Sequence, residues 1–401
     1  MSRFTSGHFW HDLWIGFFCF VLIVGIFSGQ PLIIAFGVMG LAAALLSAGW
    51  NKLSLENLIY ERNIPTKNTF VGRELSITLS LTNKKPIPLP WVNVNDELSS
   101  ELHVVGNRPN ANFSHSLSLG WYEKVHWNYK ILCKKRGPQK IGPAYLESGD
   151  PFGFLNKRIH GPPEENIIVY PDILPLSELG MPAAMPLGDI NANGWIHQDP
   201  SKYVAIREYA RGDPYRSIDW KTSAKTSRLS VRQFEPSHSA TIILATAIDT
   251  TKPHWAAYSP KLLERVVVAA ASTAGYIDEK KCHIGLISND TPMHPKPVIS
   301  VPPGRDPLQL KRILTSIAIL KPYSVAPMYQ YLSEFLSLFP YGATIVLITS
   351  FLPSEYRKVI DEAKQRGYKL VVIYVGEDSY ADIPEGVILH NLSPKMESMG
   401  L

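Results

Sequence analysis

YVAIREYARGDPYRSIDWKTSAKTSRLSVRQFE, Tyr203 to Glu235, is the point at which the chain changes character. With Lys202 before it, the stretch sets Arg207, Arg211, Arg216, Lys221, Lys225, Arg228 and Arg232 against Glu208, Asp213, Asp219 and Glu235. Tyr203, Tyr209, Tyr215, Trp220 and Phe234 are interleaved among them. Asp213 followed by Pro214 reads as a helix start, because an acidic N-cap satisfies orphan N–H groups and proline suits the first helical position. The expected helix runs from Pro214 to about Lys225. It would set Arg216, Asp219 and Trp220 on one face and Lys221 and Lys225 on a second, basic row. Leu229, Val231 and Gln233 then alternate with Ser230, Arg232 and Phe234 as a strand expected to feed a following sheet. Charges so dense beside aromatics suggest a network at a domain junction, with Arg207, Arg216, Asp219 and Trp220 mostly buried.

Downstream, apolar runs alternate with helical periods. Thr241–Ile248, His283–Ser288, Val298–Val301, Ala343–Thr349, Lys369–Val375 and Val387–Leu389 read as strands. Leu262–Ile277, Leu308–Leu320, Met328–Phe339 and a segment ending near Arg366 read as helices. Continuous buried runs separated by helices mean an α/β domain with a mainly parallel, doubly wound sheet. Ligands of such sheets bind beyond the carboxyl ends of strands, where Asp249, Thr250, Thr251, Thr349 and Ser350 stand.

Upstream the period is two. Leu75, Ile77, Leu79 and Leu81 alternate with Ser76, Thr78, Ser80 and Thr82. Shorter runs follow at Trp91–Val94, Leu102–Val105, Phe113–Leu119, Tyr122–Cys133, Ala144–Glu147 and Ile167–Tyr170. About seven short strands predict an all-β, immunoglobulin-like sandwich. Between its last strands, KKRGPQKIGP (Lys134–Pro143) and GDPFGF (Gly149–Phe154) are dense in turn residues and read as tight turns at the sandwich edge.

Before the sandwich, no charged residue stands between Asp12 and Lys52, far more than the roughly 20 residues of one membrane crossing. Ser28, Gly29, Gln30 and Pro31 break the run into two helices, the second rich in Gly, Ala and Ser, which suits close helix packing. Trp10, Trp14 and Trp50 flank the ends. Arg3, Lys52 and Arg62 lie on one side and the turn carries no charge, which predicts a two-pass hairpin with the soluble domains cytoplasmic. The expected organisation is a transmembrane hairpin over 1–54, a β-sandwich over 55–172 and a surface linker over 173–201. A junction helix and strand over 202–238 and the α/β domain over 239–401 complete it. At 401 residues, several cores are expected. The net charge of +5 sits mostly in the quoted stretch, so it argues only weakly for nucleic acid. Cys19, Cys133 and Cys282 are too few and too far apart for a disulfide framework or a zinc site, and favour a reducing compartment for the soluble part.

REYARGDPYRSIDWKTSAKTSRLSVRQFE, together with KKRGPQKIGP, GDPFGF and the two apolar helices, resembles the bacterial domain-of-unknown-function-58 proteins associated with MoxR-type AAA+ ATPases. The positions that carry the likeness are Arg207, Glu208, Tyr209, Gly212, Asp213, Arg216, Asp219, Trp220, Lys221 and Arg232. The resemblance implies a bacterial inner-membrane protein with a von Willebrand factor type A-like C-terminal domain and a role beside a MoxR ATPase; it implies no reaction. Type A domains often hold a divalent cation through Asp-x-Ser-x-Ser. Here Asp249 and Thr251 match the first two positions, whereas Pro253 occupies the third, so a degenerate site without metal is expected.

No GxxxxGK[ST], GxSxG or HExxH occurs, and no cofactor is expected. Three readings follow. The first is a non-enzymatic anchored scaffold that binds a protein partner. The second is an electrostatic binder of nucleic acid or anionic lipid through Arg211, Lys221, Lys225 and Arg228. The third is a hydrolase using Asp213 and Asp219, which their basic neighbours disfavour by holding both carboxylates ionised.

Overall fold

The computed structural model describes residues 6–400 except 107–112, 154, 183–185, 188–196, 211–214, 216–217, 238–239, 253–257, 291–298, 325 and 379–382. Two compact units divide the chain, Met1–Tyr170 and Pro171–Leu401.

The first unit opens with two helices, α1 (Ser6–Ser28) and α2 (Pro31–Ser54), folded into a hairpin at Gly29 and Gln30. The stripe of small residues predicts how they meet. Gly37, Gly40, Ala44, Ser47, Asn51 and Ser54 are the buried positions of α2, and a Cβ on Gly40 would stand 2.1 Å from the Phe18 ring. Outside that seam the apolar side chains point outward; Phe27 and Leu32 are almost fully exposed. Among the described residues one helix, α2, is long and apolar enough to cross a membrane.

Ten strands follow: β1 (Leu58–Asn63), β2 (Asn68–Phe70), β3 (Glu74–Asn83), β4 (Leu89–Leu98), β5 (Leu102–Val104), β6 (Phe113–Leu119), β7 (Lys124–Cys133), β8 (Gly137–Gly149), β9 (Asn156–His160) and β10 (Glu165–Tyr170). They form two sheets, β1-β3-β7-β5 and β2-β10-β8-β4-β6, with β9 beside β8. The alternation at Leu75, Ile77, Leu79 and Leu81 does what period two requires, placing all four in the core with Ile131, Val92, Val94 and Ile167. The turn reading of KKRGPQKIGP is corrected: Gly137 to Pro143 belong to β8, because Pro138 to Ile141 pair with β10 in register. Strands β1, β2 and β9, which carry little alternation, were not expected from the pattern. The two sheets are tied by a buried ion pair, Arg62 Nη1 to Asp96 Oδ1 at 2.6 Å, with both side chains shielded from solvent. Tyr60 also donates its hydroxyl to Asp96 at 3.2 Å.

Lys85 is an exception to the rule that buried charge is paired. Its ammonium is buried without a hydrogen-bond partner; burial pushes its pKa down, and the Glu56 charge pulls it partly back. Lys85→Met should therefore stabilise this unit, by about 1–3 kcal/mol at neutral pH. The sign with pH is also fixed. The folded pKa lies below the unfolded value of about 10.4, so the unfolded chain binds the extra proton in that window and wild-type stability rises with pH through it. Chemical denaturation at several pH values should show this slope in the wild type and its loss in Lys85→Met.

The second unit begins with a segment expected to be a linker. Instead Leu176, Leu179, Met181 and Leu187 are buried in the core of the α/β domain, and Leu174 N–H donates to Ser272 Oγ at 2.9 Å. Its leucine spacing carries no secondary-structure period because the segment packs as irregular turns. Strand β11 (His197–Glu208), helix α3 (Trp220–Thr226) and strand β12 (Ser230–Ser237) come next. Then follow β13 (Thr241–Thr246), α4 (Pro260–Glu279), β14 (His283–Ser288), β15 (Ile299–Gly304), α5 (Gln309–Ala318), α6 (Met328–Phe335), β16 (Thr344–Thr349), α7 (Tyr356–Gln365), β17 (Lys369–Tyr374), β18 (Ile388–Asn391) and α8 (Ser393–Ser398). The main sheet has the order β15-β14-β13-β16-β17-β18, parallel except for β15 at its edge. Ile242 and Leu244 of β13 face the core shared with α4, α5 and α8, whereas Ile243 and Ala245 face that of α6 and α7. Burial on both faces is why these strands read as unbroken apolar runs.

Candidate functional site

The signature stretch builds a separate module. Among the described residues, strand β12 does not feed the main sheet; it pairs antiparallel with β11, from His197↔Ser237 to Glu208↔Ser230. The helix is shorter than expected. It begins at Trp220, and its N-cap is Asp219, whose carboxylate accepts from Thr222 N–H at 3.0 Å. At Ile218 the backbone is bridged to Val231, so no helix runs through that point. Gly212, Asp213 and Arg216 lie outside the described residues.

Ser223 ties the helix to the strand. Its hydroxyl donates to Asp219 O at 2.7 Å and accepts from Ser230 N–H at 2.9 Å. Asp219 N–H in turn donates to Ser230 O at 2.9 Å. Asp219 is thus a structural cap, which takes one of the two carboxylates away from the hydrolase reading. Asp219→Ala should destabilise the module by about 0.5–2 kcal/mol, whereas Asp219→Asn, also a good cap, should cost little. Hydrogen exchange at Thr222 and Ser223 in the two variants checks this.

Burial of the signature is corrected. Of the four residues expected inside, Asp219 is buried, Arg207 is exposed, Trp220 is 67% exposed, and Arg216 is outside the described residues. Tyr215 is 76% exposed and stacks on Tyr209, with ring centroids 6.2 Å apart. Ile206 and Leu229 add exposed apolar surface, and Lys221 and Lys225 are exposed beside them. Glu208 pairs with Arg228 at 2.7 Å, both ends being in solvent, so that bond adds little stability. Arg232 sits opposite Ile206 in the ladder. The module spends its few buried groups on holding a short helix against two strands, and presents aromatics and cations outward.

A second polar cluster stands at the carboxyl edge of the main sheet. Asp249, just after β13, is buried and accepts from Asn289 Nδ2 at 2.7 Å; Asn289 also accepts from Ile248 N–H and donates to Ala326 O. Thr250 Oγ1 accepts from Ser259 N–H, the N-cap of α4. Thr349 Oγ1 accepts from Phe351 N–H and donates to Phe351 O. Fully buried Tyr356 has its phenol pushed well upward, by burial first and by the Asp249 charge second. A cavity of about 230 Å³ opens here, lined by Asp249, Thr251, Tyr329, Gln330 and the Lys252–Glu355 ion pair.

These donors do not fit a hard divalent cation. An amide N–H rather than a ligand oxygen meets Asp249 Oδ1, an ammonium group lines the same cavity, and no cluster of three or more His, Cys, Asp or Glu exists among the described residues. Asp249 and Thr251 are brought together at this cavity. Asn289 and Tyr356 were missed, although Asn289 follows an apolar strand end as Asp249 does.

An apolar helical hairpin, a two-sheet β domain and an α/β domain bearing a two-strand module make up the described chain. Residues 205–390 match the model of the family described as protein of unknown function DUF58. The chain is 27% identical over 229 residues to the uncharacterized protein YeaD of Bacillus subtilis strain 168, covering 57% of this chain and 56% of YeaD. It thus spans little more than half of that relative. Among solved structures, it matches Escherichia coli alpha-2-macroglobulin from domain MG7 to the C-terminus with a TM-score of 0.24 and 21% identity, covering 29% of this chain and 17% of that one. The CARDB domain of PF1109 from Pyrococcus furiosus gives 0.21 and 14%, covering 28% and 86%. Scores this low carry no argument.

Proposed function

We propose that the chain is a two-pass, membrane-anchored adaptor that catalyses no reaction and binds a protein partner through the exposed face of its signature module. A MoxR-type AAA+ ATPase is the partner class that the family resemblance implies, in envelope-associated complex assembly at the bacterial inner membrane with the soluble domains in the cytoplasm. The C-terminal domain is read as von Willebrand factor type A-like, in keeping with a six-stranded parallel sheet carrying one antiparallel edge strand.

The observation that carries this reading is the outward display of Tyr215, Trp220, Ile206 and Leu229 beside Lys221 and Lys225. Trp and Tyr are the side chains that dominate binding energy at protein interfaces, and exposing them around a rigid capped helix preorganises such a contact. The two-pass anchor is supported by the closely packed hairpin and its outward apolar side chains. Gentle crosslinking in native membranes, followed by detergent solubilisation and affinity capture of the tagged chain, tests the proposal. The expected result is a co-captured AAA+ ATPase; its absence in crosslinked samples overturns this partner.

The exposed pair Lys221 and Lys225 favours one competing reading, electrostatic binding of nucleic acid or anionic lipid. That binding would weaken steeply with salt, whereas an aromatic protein contact would persist at high salt.

A further inference from the structure

The register of the β domain sorts its loops into two ends. Strand β1 leaves α2 through Leu55, Glu56 and Asn57, so its first residue, Leu58, marks the end nearest the helical hairpin. Leu58 pairs with Asn83, Thr82 with Lys124, Leu89 with Leu119, and Val92 with Ser148. The loops 84–88, 120–123 and 150–155 therefore all lie at that same end. The chain leaves the domain from the other one, since Val169 pairs with Gly137 at the start of β8. Hydrogen bonds close the geometry: Lys84 N–H donates to Asn57 O at 3.0 Å, and Tyr122 N–H to Lys85 O at 3.3 Å.

Exposed aromatics collect there. Outside the helices, the large exposed hydrophobic residues described in this unit are Val105, Trp121, Tyr122 and Phe152, and the three aromatics sit on two of these loops. Trp121 is 73% exposed, Tyr122 67% and Phe152 58%. Each is held out by dedicated structure. Asn83, fully buried, donates to Gly120 O at 2.7 Å and to Ile87 O at 2.9 Å, clamping two of the loops together. Tyr122 has φ +52°, a left-handed conformation that costs a bulky residue about 1 kcal/mol or more. The GDPFGF loop is pinned by Asp150, fully buried, whose two carboxylate oxygens accept from Leu155 N–H at 2.6 Å and Phe152 N–H at 3.1 Å. A Cβ on Gly149 would stand 2.1 Å from Leu155 O. So this sequence motif is spent on a rigid loop that presents Phe152.

The surroundings suit one occupant. Lys52, Lys84, Lys124 and Lys157 are exposed at this end, and the 24 residues of α2 rise about 36 Å against about 30 Å of hydrocarbon. The last turn of α2 therefore reaches headgroup depth, and the loops begin within a few residues of it. Indole and phenol rings favour that interface, and each lysine near an anionic surface adds about 1 kcal/mol of attraction.

We infer that Trp121, Tyr122 and Phe152 form an aromatic foot that seats the β domain on the anionic phospholipid surface of the membrane holding its own helical hairpin. The inference rests on the anchoring reading, and the test separates the two. Full-length protein with Cys19, Cys133 and Cys282 replaced carries one bimane label, at Trp121→Cys, Phe152→Cys, Phe27→Cys or Lys135→Cys. Each is reconstituted in vesicles of phosphatidylethanolamine and phosphatidylglycerol containing nitroxide lipids. The expected result is severalfold stronger quenching by headgroup nitroxide at positions 121 and 152 than at 135, at the opposite end, with position 27 quenched by acyl-chain nitroxide. Quenching at 121 and 152 no greater than at 135, with 27 still quenched, overturns the foot and leaves the anchor standing. Failure at 27 removes the anchor, and the foot with it.

Unlabelled protein supplies a second readout should a label disturb its loop. In oxidative footprinting, Tyr122 should be protected severalfold more in lipid nanodiscs than in lipid-free amphipol, while Tyr341, similarly exposed on the second unit, changes little. Equal modification overturns the proposal. So does protection that tracks protein concentration without lipid, which would assign the face to a second copy of the chain.

Discussion

Arg62→Ala is expected to destabilise the β domain by about 3–5 kcal/mol, because it leaves the Asp96 carboxylate buried without its cation. Arg62 stands on β1 of one sheet and Asp96 on β4 of the other, so their 2.6 Å contact closes the sandwich across its core. Arg62 also reaches Pro163 O at 2.6 Å and Glu165 Oε1 at 3.4 Å. Burial pushes the Asp96 carboxyl upward while the guanidinium pulls it down. Removing the guanidinium leaves the Tyr60 hydrogen bond alone to offset burial and the Glu165 charge. Asp96→Ala should cost a similar amount by stranding the guanidinium, and the double variant should cost less than the sum, with a coupling of about 1–3 kcal/mol. Pulse proteolysis across a urea series, scoring the fragment Met1–Tyr170, measures all three. Near-additive losses would mean that the pair is not the tie between the sheets. The same pair explains the end of KKRGPQKIGP: Gly142 has φ +95°, and a Cβ there would stand 2.8 Å from Arg62 Nη1.

Trp220→Ala is expected to weaken capture of the protein partner by about 2–4 kcal/mol, a loss of roughly 30-fold or more. The indole is 67% exposed in the chain by itself, so truncation should leave the module folded: its cap at Asp219 and its ties through Ser223 and Ser230 involve none of the ring. Tyr215→Ala should act in the same direction, and Lys225→Ala mainly through the salt dependence of association. Titration of the captured partner against each variant, with circular dichroism to confirm folding, gives the measurement. Unchanged affinity in both aromatic variants would remove the signature face from the interface. Steep loss of capture with salt in the wild type, with Lys225→Ala weakening it at low salt and both aromatic variants leaving it unchanged, would move the function to electrostatics.

How far the sequence could be read depended on whether a local rule decided the matter. In the α/β domain it did. Runs such as Thr344–Thr349 are buried on both faces, and α7 carries Val359, Ile360 and Ala363 on one stripe, so period and burial agree. In the β domain, the strong alternation of Glu74–Asn83 was legible, whereas β9, with most of its residues exposed, has no apolar face to announce it. At the signature, the Asp-Pro pair at 213–214 and the Asp-Trp pair at 219–220 are both plausible helix starts by composition. The choice fell to Asp219 because Ile218 is held by Val231 and Asp219 N–H by Ser230 O, partners twelve or so residues onward that no local propensity contains.

By itself, then, the sequence determined the order of the three structural classes and the likeness of residues 205–390 to a family, since periodicity, composition and a long motif are local properties. Only the tertiary structure decided where the signature's charges and aromatics go. Two strands pairing with each other rather than with the main sheet turned an expected buried junction into an exposed face. Sheet register likewise brought Phe152 to the same end of the domain as Trp121 and Tyr122, from which it is well separated along the chain. Such neighbours are set by long-range backbone pairing, whose register depends on residues distant in sequence.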